Sequence, residues 1–190
     1  MNRLEERRRA LLARQGCHAW DYRTTDIPIG RYDTGFAPFA EEDTGVTFLL
    51  EVERPTGGAP VSNIGLNTDI VLMSDGASGF RSTAGFLIYG SAYPYIVCGW
   101  MGTFGRVYNG NCYLPGTNRC VWWHNQGTSS AAVTMNGLTT VWSKQASYQS
   151  NPHTIVLKSF SNFKLKEFAC CKRALTDEER SAYLTDGKMP

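Results

Sequence analysis

The stretch KLKEFACCKRALTDEERSAYLTDG, residues 164–187, joins the pattern of a β-strand to that of a short capped helix. Its first eight residues alternate in polarity, with Phe168 and Cys170 on one face, which is typical of a half-buried strand. In the segment TDEE, Thr176 can accept a hydrogen bond from the backbone of Glu179 while the Glu179 side chain reaches back, which forms a capping box. The final glycine favours the end of the helix. The chain is therefore predicted to close with one strand and one helix.

The chain ahead of this stretch shows many short strand patterns and no helical ones between them. VTFLLEVER, residues 46–54, alternates apolar and polar side chains as a half-buried strand does. Segments such as PTGG, SDGASG and NG carry the residues that favour turns. The further candidate strands are 64–73, 84–90, 95–101, 104–108, 119–124, 130–136, 138–143, 153–159 and 163–171. This spacing predicts an antiparallel sandwich or barrel.

The second half of the chain resembles the concanavalin A-like lectin/glucanase superfamily, in particular its laminin-G-like jelly rolls. The resemblance depends on the strand that ends in Arg-Ala-Leu before the capped helix, and on RCVWWHNQGTSSAAVTMNGLTTVW, residues 119–142. The latter matches paired strands with an Asn-Gly tip, and HTIVLKSF, residues 153–160, fits the strand that follows. In such folds the closing helix packs across one end of the sandwich, so Leu175 and Leu184 are expected to be its buried contacts.

The predicted fold is all-β: an antiparallel jelly-roll β-sandwich with a short N-terminal helix and a C-terminal capping helix. Residues 1–16 are predicted to form the amphipathic N-terminal helix. Residues 17–44, rich in Gly, Pro, Asp and Thr, are interpreted as a connector laid over a surface. Residues 45–190 are predicted to form the concanavalin A-like sandwich.

Negative charge is distributed unevenly along the chain. The formal net charge is +2, but no Asp or Glu occurs between Asp75 and Glu167. Glycosidases of this superfamily need two carboxylates about 5 to 10 Å apart. The pair that comes nearest to this requirement is Glu51 and Glu53, which share a strand face. Both are interpreted as solvated side chains on an outer face. The chain is therefore predicted not to be an enzyme, with a glycoside hydrolase as the least favoured alternative.

Aromatic and amide side chains are the candidates for a ligand face. Aromatic rings stack on the C–H surface of sugars, while amides bond the hydroxyl groups. Residues 108–118, YNGNCYLPGTN, form the best candidate for an exposed loop of this kind. Of the adjacent pair Trp122 and Trp123, one should face the core and the other outward. The predicted ligand-binding residues are Tyr108, Asn109, Asn111, Tyr113, Trp122, Asn125 and Tyr148.

The cysteine and histidine pattern predicts neither a metal site nor a cofactor site. The six cysteines show no C-x-x-C spacing, and the three histidines lie far apart in sequence. Asp69 and Asp75 could contribute to a calcium site, although a turn such as SDGASG needs Asp and Gly for its shape. The first sixteen residues lack the apolar run of a secretory signal. We therefore expect free thiols packed as small apolar groups, and an intracellular or virion location.

Three functions remain open, and the leading one is non-catalytic recognition or adhesion with a glycan or cell-surface polysaccharide as the ligand. The second is a structural subunit of an assembly such as a phage tail fibre or virion appendage. It would be anchored through residues 1–44, with other subunits, or copies of the chain, meeting at the N-terminal helix. The third is the hydrolase. Nucleic-acid binding is not expected, because seven basic residues over residues 76–166 are few and no binding motif occurs. Membrane insertion is not expected, because no apolar run approaches 20 residues.

Overall fold

The computed structural model describes residues 16–22, 30–33, 45–54, 68–73, 85–89, 95–100, 103–106, 116–125, 130–143, 155–159 and 164–190. The strands are β1 (Cys17–Asp21), β2 (Gly30–Asp33), β3 (Gly45–Arg54), β4 (Thr68–Met73), β5 (Gly85–Tyr89), β6 (Tyr95–Trp100), β7 (Thr103–Arg106), β8 (Gly116–Asn125), β9 (Ser130–Met135), β10 (Leu138–Ser143), β11 (Ile155–Ser159) and β12 (Lys164–Cys171). One helix, α1 (Asp177–Asp186), follows β12.

These strands form two six-stranded sheets, and neighbouring strands within each sheet are antiparallel. The first sheet has the order β1-β12-β3-β8-β9-β10, and the second has the order β2-β11-β4-β5-β6-β7. The predicted all-β sandwich is therefore confirmed. The N-terminal helix predicted for residues 1–16 falls almost wholly outside the described residues. Within the described part of the chain, no helix is long and apolar enough to cross a membrane.

Two segments predicted to belong to a surface connector are strands in this structure. β1 lies at the edge of the first sheet and pairs with β12, while β2 lies at the edge of the second sheet and pairs with β11. Both strands are only four or five residues long. Such short segments carry too little alternation to stand out from the surrounding turn residues.

The first sheet buries side chains on both of its faces. On one face the rings of Phe48, Trp122 and Phe168 stack, with centroids 5.0 to 5.8 Å from Phe48. These three side chains are at most 2% exposed and contribute to the core between the sheets. Alternation along the strands places Leu49 and Val121 on the other face, where they pack against the helix.

Helix α1 covers the outer face of the first sheet, rather than one end of the sandwich as expected. Leu175 and Tyr183 are fully buried against that face, and Leu184 packs beside them. Thr47 fixes the approach to the helix, since its buried hydroxyl donates to the carbonyl of Arg173 and accepts from the backbone N–H of Leu175. The predicted contacts of the helix are confirmed, although its position on the fold differs.

The ends of α1 follow the sequence signals. The Thr176 hydroxyl accepts from the Glu179 backbone, and the Glu179 carboxylate accepts from the Thr176 backbone, which completes the capping box. Gly187 ends the helix with a φ of 67°, a conformation that suits glycine. The β9-β10 hairpin likewise turns at Asn136 and Gly137, both with positive φ, as the Asn-Gly tip predicts.

The prediction that the cysteines are free thiols is wrong for one pair. Cys17 of β1 and Cys171 of β12 form a disulfide, and the two residues are direct register partners. They are separated by 154 positions, so their proximity depends on a strand pairing that spacing alone does not reveal. The buried Cys120 and Cys170 remain thiols.

Candidate functional site

The strand register divides the second sheet into an apolar set and a polar set of residues. Direct partners on neighbouring strands share a face of the sheet, and consecutive residues alternate between faces. One set contains no charged residue among the described strands. Its larger members are Tyr32, Val71, Met73, Phe86, Ile88, Ile96, Cys98, Trp100, Ile155 and Leu157, and it also includes Gly30, Thr68, Thr103, Gly105 and Ser159. This pattern is typical of the face that a sheet turns toward the core.

All five charged residues in the described strands of the second sheet fall into the other set. They are Arg31, Asp33, Asp69, Arg106 and Lys158. The same set also contains the apolar residues Leu72, Leu87, Val97, Phe104 and Val156. Because charged residues rarely occupy a core, we expect this set to belong to the outer face of the sandwich. We call it the polar face of the second sheet.

The backbone of the polar face has a feature of its own. Gly85 of β5 pairs directly with Gly99 of β6, and Tyr89 pairs with Tyr95 at the other end of the same two strands. A glycine inside a strand often marks a place where a ligand or another backbone approaches closely. Two paired glycines leave a short gap in the Cβ atoms of this face; the next pair along the strands is Leu87 and Val97, and the cross-strand partners of the glycines are Leu72 and Phe104. Such an arrangement can admit a flat ligand against the sheet.

A second set of charged residues lies in the first sheet and has a structural role. Register partners Asp21, Glu167, Glu51 and Arg119 form a row across β1, β12, β3 and β8. Glu167 is fully buried and Glu51 is 5% exposed. The Arg119 Nε donates to Glu51 Oε2 at 2.7 Å, and its Nη1 donates to the carbonyl oxygen of Thr185 in α1 at 2.8 Å. The row therefore ties the helix to the sheet.

The acidic pair considered for hydrolysis is engaged in ion pairs. Glu51 is buried and held by Arg119, so the expectation of a solvated side chain is wrong for this residue. Glu53 is partly exposed and pairs with Lys166, at 3.0 Å between Oε2 and Nζ. The strand order explains why Glu51 is buried: β3 lies between β12 and β8 inside the first sheet, and the helix region covers that face.

The prediction that Trp122 binds ligand is wrong. Its side chain is 1% exposed and stacks on Phe48 inside the sandwich. Its neighbour Trp123 faces the helix side, where the Arg180 guanidinium lies 4.1 Å from the ring centroid. Alternation required the two indoles to face opposite ways, but the sequence did not say which one enters the core. Trp122 is therefore enclosed in the core, whereas Trp123 is partly buried on the helix side.

The remaining predicted ligand residues stay predictions. Asn125 is the last residue of β8, opposite Gly45, so it lies at an end of the first sheet. The others lie outside the described residues: Tyr108, Asn109, Asn111, Tyr113 and Tyr148. The first four follow Arg106, the last residue of β7, by two to seven positions. They therefore continue the chain from one strand of the polar face.

Among the described residues, no group of three or more His, Cys, Asp or Glu side chains is placed to hold a metal ion. Of the two aspartates considered for calcium, Asp69 lies on the polar face and Asp75 lies outside the described residues. The residues of the polar face that sequence reasoning missed include Arg31, Lys158 and Tyr89. Only the strand register brings them together, and a single sequence does not contain that register.

No family model matches the chain, and no curated protein matches it. Solved structures do match. The CBM40 of the Ruminococcus gnavus IT-sialidase has a TM-score of 0.60 at 12% identity, over 87% of this chain and 97% of that one. The leech intramolecular trans-sialidase has a TM-score of 0.56 at 14% identity over 85% of this chain, which spans 26% of the enzyme's length. A SAP-like pentraxin from Limulus polyphemus has a TM-score of 0.55 at 11% identity, over 93% and 85% of the two chains.

These similarities establish the fold. Like the CBM40 and the pentraxin, this chain is an all-β sandwich, which agrees with the expected fold. Membership of the concanavalin A-like superfamily, and of its laminin-G-like branch, stays a prediction. The level of identity carries no information about individual site residues.

Proposed function

We propose that this chain is a non-catalytic carbohydrate-recognition module and that the polar face of the second sheet is its ligand-binding face. The observation that carries the proposal is the fold, which it shares over most of its length with a CBM40 that has been solved with α2,3- and α2,6-sialyllactose bound. The polar face is the part of the described chain whose residue types suit a hydroxylated ligand.

The chemistry of the polar face supports this proposal. Basic side chains donate to the carboxyl and hydroxyl groups of sugars, and acidic side chains accept from the hydroxyl groups. Tyrosine supplies both a stacking ring and a hydroxyl. Tyr89 and Tyr95 occupy paired positions four residues along the strands from the Gly85–Gly99 pair, with the Leu87–Val97 pair between them. We propose that the predicted loop residues Tyr108, Asn109, Asn111 and Tyr113, which follow β7 in sequence, also contribute to binding.

The ion pairs of the first sheet support a non-catalytic role. A glycosidase needs one carboxylic acid and one carboxylate that both reach the substrate. Glu51 is buried against Arg119 and Glu53 is paired with Lys166, so neither offers a free carboxylate in a groove. The prediction that the chain is anchored to a phage fibre or other assembly rests on residues 1–44 and stays a prediction.

Ligand binding is best tested by NMR titration with α2,3-sialyllactose, α2,6-sialyllactose and neutral lactose, after a glycan array has screened wider classes. The test variants are Tyr95→Ala and Arg106→Ala on the polar face, and Tyr113→Ala in the loop. Val141→Ala is the matched control, because Val141 is 63% exposed on the first sheet. We expect each test variant to weaken binding at least ten-fold and the control to leave it unchanged.

Two results would count against the proposal. Absence of binding to every glycan at millimolar concentration would remove the carbohydrate function. Binding that is lost in Val141→Ala and retained in Tyr95→Ala and Arg106→Ala would keep the function but move the site to the first sheet.

A further inference from the structure

One register pair of the second sheet joins two residues of the same charge. Arg31 of β2 and Lys158 of β11 are direct partners, and both belong to the polar face. In the described register of this sheet, no other pair joins two charged residues. Like charges directly opposite each other on neighbouring strands destabilise a sheet. Because residue choices that oppose the fold are expected at functional sites, this pair is a candidate for binding.

The first sheet compensates its like charges in a way that this pair does not. Glu167 and Glu51 are also direct partners of the same charge. There, Glu51 has Arg119 as its partner on the other side, with 2.7 Å between the bonded atoms. In the described register, neither Arg31 nor Lys158 has an acidic direct partner. A compensating negative charge for this pair can instead come from a ligand.

Two aspartates of the polar face lie near the pair without facing it directly. Asp33 is two positions from Arg31 along β2. Asp69 belongs to β4, on the other side of β11, and precedes by two positions the residues of β4 that pair with β11. Direct partners have Cβ atoms about 4.5 to 5.5 Å apart, while diagonal neighbours are about 7 to 8 Å apart. Arg31 and Lys158 are therefore closer to each other than either is to Asp33.

The two residue types suit one anionic group between them. At the spacing of direct partners, a single carboxylate or sulfate is within reach of both long side chains. A guanidinium offers a planar fork that matches such a group, and an ammonium adds a compact positive charge. Hydrogen bonds between charged groups are about twice as strong as those between neutral groups. An anion at this position would also remove the repulsion between Arg31 and Lys158.

We propose that the ligand is an acidic glycan and that its carboxylate or sulfate group binds at the Arg31–Lys158 pair. This inference rests on the proposed carbohydrate function and specifies the class of sugar. Arg106 lies four strands from Lys158, about 19 Å at about 4.8 Å between neighbouring strands, so one anionic group does not bridge the two. The anionic group is therefore assigned to the β2–β11 side of the polar face, which leaves β4 to β7 for the rest of the glycan.

A glycan array that holds neutral glycans beside their sialylated, uronate-containing and sulfated counterparts tests the class of ligand. Each hit and its counterpart are then titrated by NMR with the wild-type chain. We expect an acidic glycan to bind about ten-fold more tightly than its neutral counterpart, as one charge-assisted hydrogen bond provides. This preference should shrink as the salt concentration rises, because ions screen exposed charges. The array separates carboxylate from sulfate as the preferred group.

Four variants test the position of the anionic group. Arg31→Gln and Lys158→Gln should each weaken binding of the acidic glycan about ten-fold and leave the neutral counterpart unchanged. Arg31→Lys keeps the charge and should keep most of the preference. Lys188→Gln is the matched control, because it removes the same charge at a side chain that is 72% exposed and lies beyond the helix. The NMR spectrum of each variant verifies that it is folded.

The outcomes separate failure of this inference from failure of the proposed function. Absence of every hit at millimolar concentration removes the carbohydrate function, and this inference with it. Neutral glycans that bind as well as their acidic counterparts keep the function and overturn the inference. A preference for acidic glycans that persists in both Gln variants of the pair, or is lost equally in Lys188→Gln, also overturns it. The comparison of acidic with neutral glycans uses the wild-type chain, so it remains decisive if a variant fails to fold.

Discussion

Glu51 and Arg119 face each other across neighbouring strands, and the same guanidinium also bonds the last turn of the helix. The Nε–Oε2 distance is 2.7 Å, and Glu51 is almost completely buried. A charge in such a position depends on its partner, because removal of one member leaves the other buried without compensation. This arrangement leads to a first prediction.

Arg119→Met should destabilise the protein by about 3 kcal/mol, because it leaves the Glu51 carboxylate buried without its partner. Glu51→Gln removes the charge but keeps a group that can accept from Arg119, so its effect should be smaller. Urea denaturation of both variants measures the difference. Equal stability of Arg119→Met and the wild type would show that the pair contributes nothing.

Gly187→Ala should be more harmful than Gly137→Ala, although both glycines have positive φ. The φ values are 67° and 79°, so the conformational cost of a side chain is similar, roughly 1 kcal/mol. A Cβ at position 187 would lie 2.9 Å from Arg119 Nε, whereas a Cβ at position 137 would meet nothing within 4 Å. Thermal unfolding should rank the variants accordingly. The reverse order would contradict the close approach of Arg119 to the helix end.

Thr176→Ala should cost about 1 kcal/mol, because it removes the side-chain half of the capping box. Ser181→Ala is a suitable control, since Ser181 is exposed inside the same helix and alanine is a good helix former. Denaturation midpoints of the two variants should therefore differ. An equal loss of stability in Ser181→Ala and Thr176→Ala would show that the capping hydrogen bond is not the cause.

The stability of the helix should fall in acid because of Glu179. Two hydrogen bonds from Arg173, at 2.6 and 2.7 Å, lower the pKa of Glu179, partly offset by desolvation, and the backbone N–H of Thr176 lowers it further. The pKa of Arg173 is raised, chiefly by the same hydrogen bonds. A carboxyl whose pKa is lower in the folded state stabilises the fold above its unfolded pKa, about 4.3.

This contribution of Glu179 is lost as the pH falls from that value through the lowered pKa of the folded state. The free energy of unfolding of the wild type should therefore decrease over this range. Arg173→Gln should flatten the dependence, while Lys188→Gln, which alters an exposed ion pair beyond the helix, should preserve it. Denaturant titrations from pH 6 to pH 2 compare the slopes, and identical slopes in all three proteins would refute the role of Arg173.

Features set by local sequence were predictable in this chain. The closing strand, the capping box at Thr176 and the Asn136–Gly137 tip all depend on residues within a few positions of one another. The alternation in residues 46–54 likewise gave β3 to within one residue at its start. The family resemblance supplied the sandwich, which the two six-stranded sheets confirm.

Features set by long-range register were not predictable. The Cys17–Cys171 bond, the burial of Glu51 and the inward position of Trp122 each depend on which strands are neighbours and on which face each residue falls. A shift of one residue reverses the face of every side chain on a strand. For the same reason, the polar face of the second sheet could not be assembled from the sequence.

The helix makes the two sides of the sandwich different. It occupies the outer side of one sheet, and the segment after it stays on that side, because Met189 packs against the same cluster as Tyr183. A sensor chip or bead coupled at position 188, which is exposed on this segment, would therefore attach the protein on the helix side and leave the second sheet facing the solution. Immobilisation at this point offers a practical orientation for capture experiments with glycans.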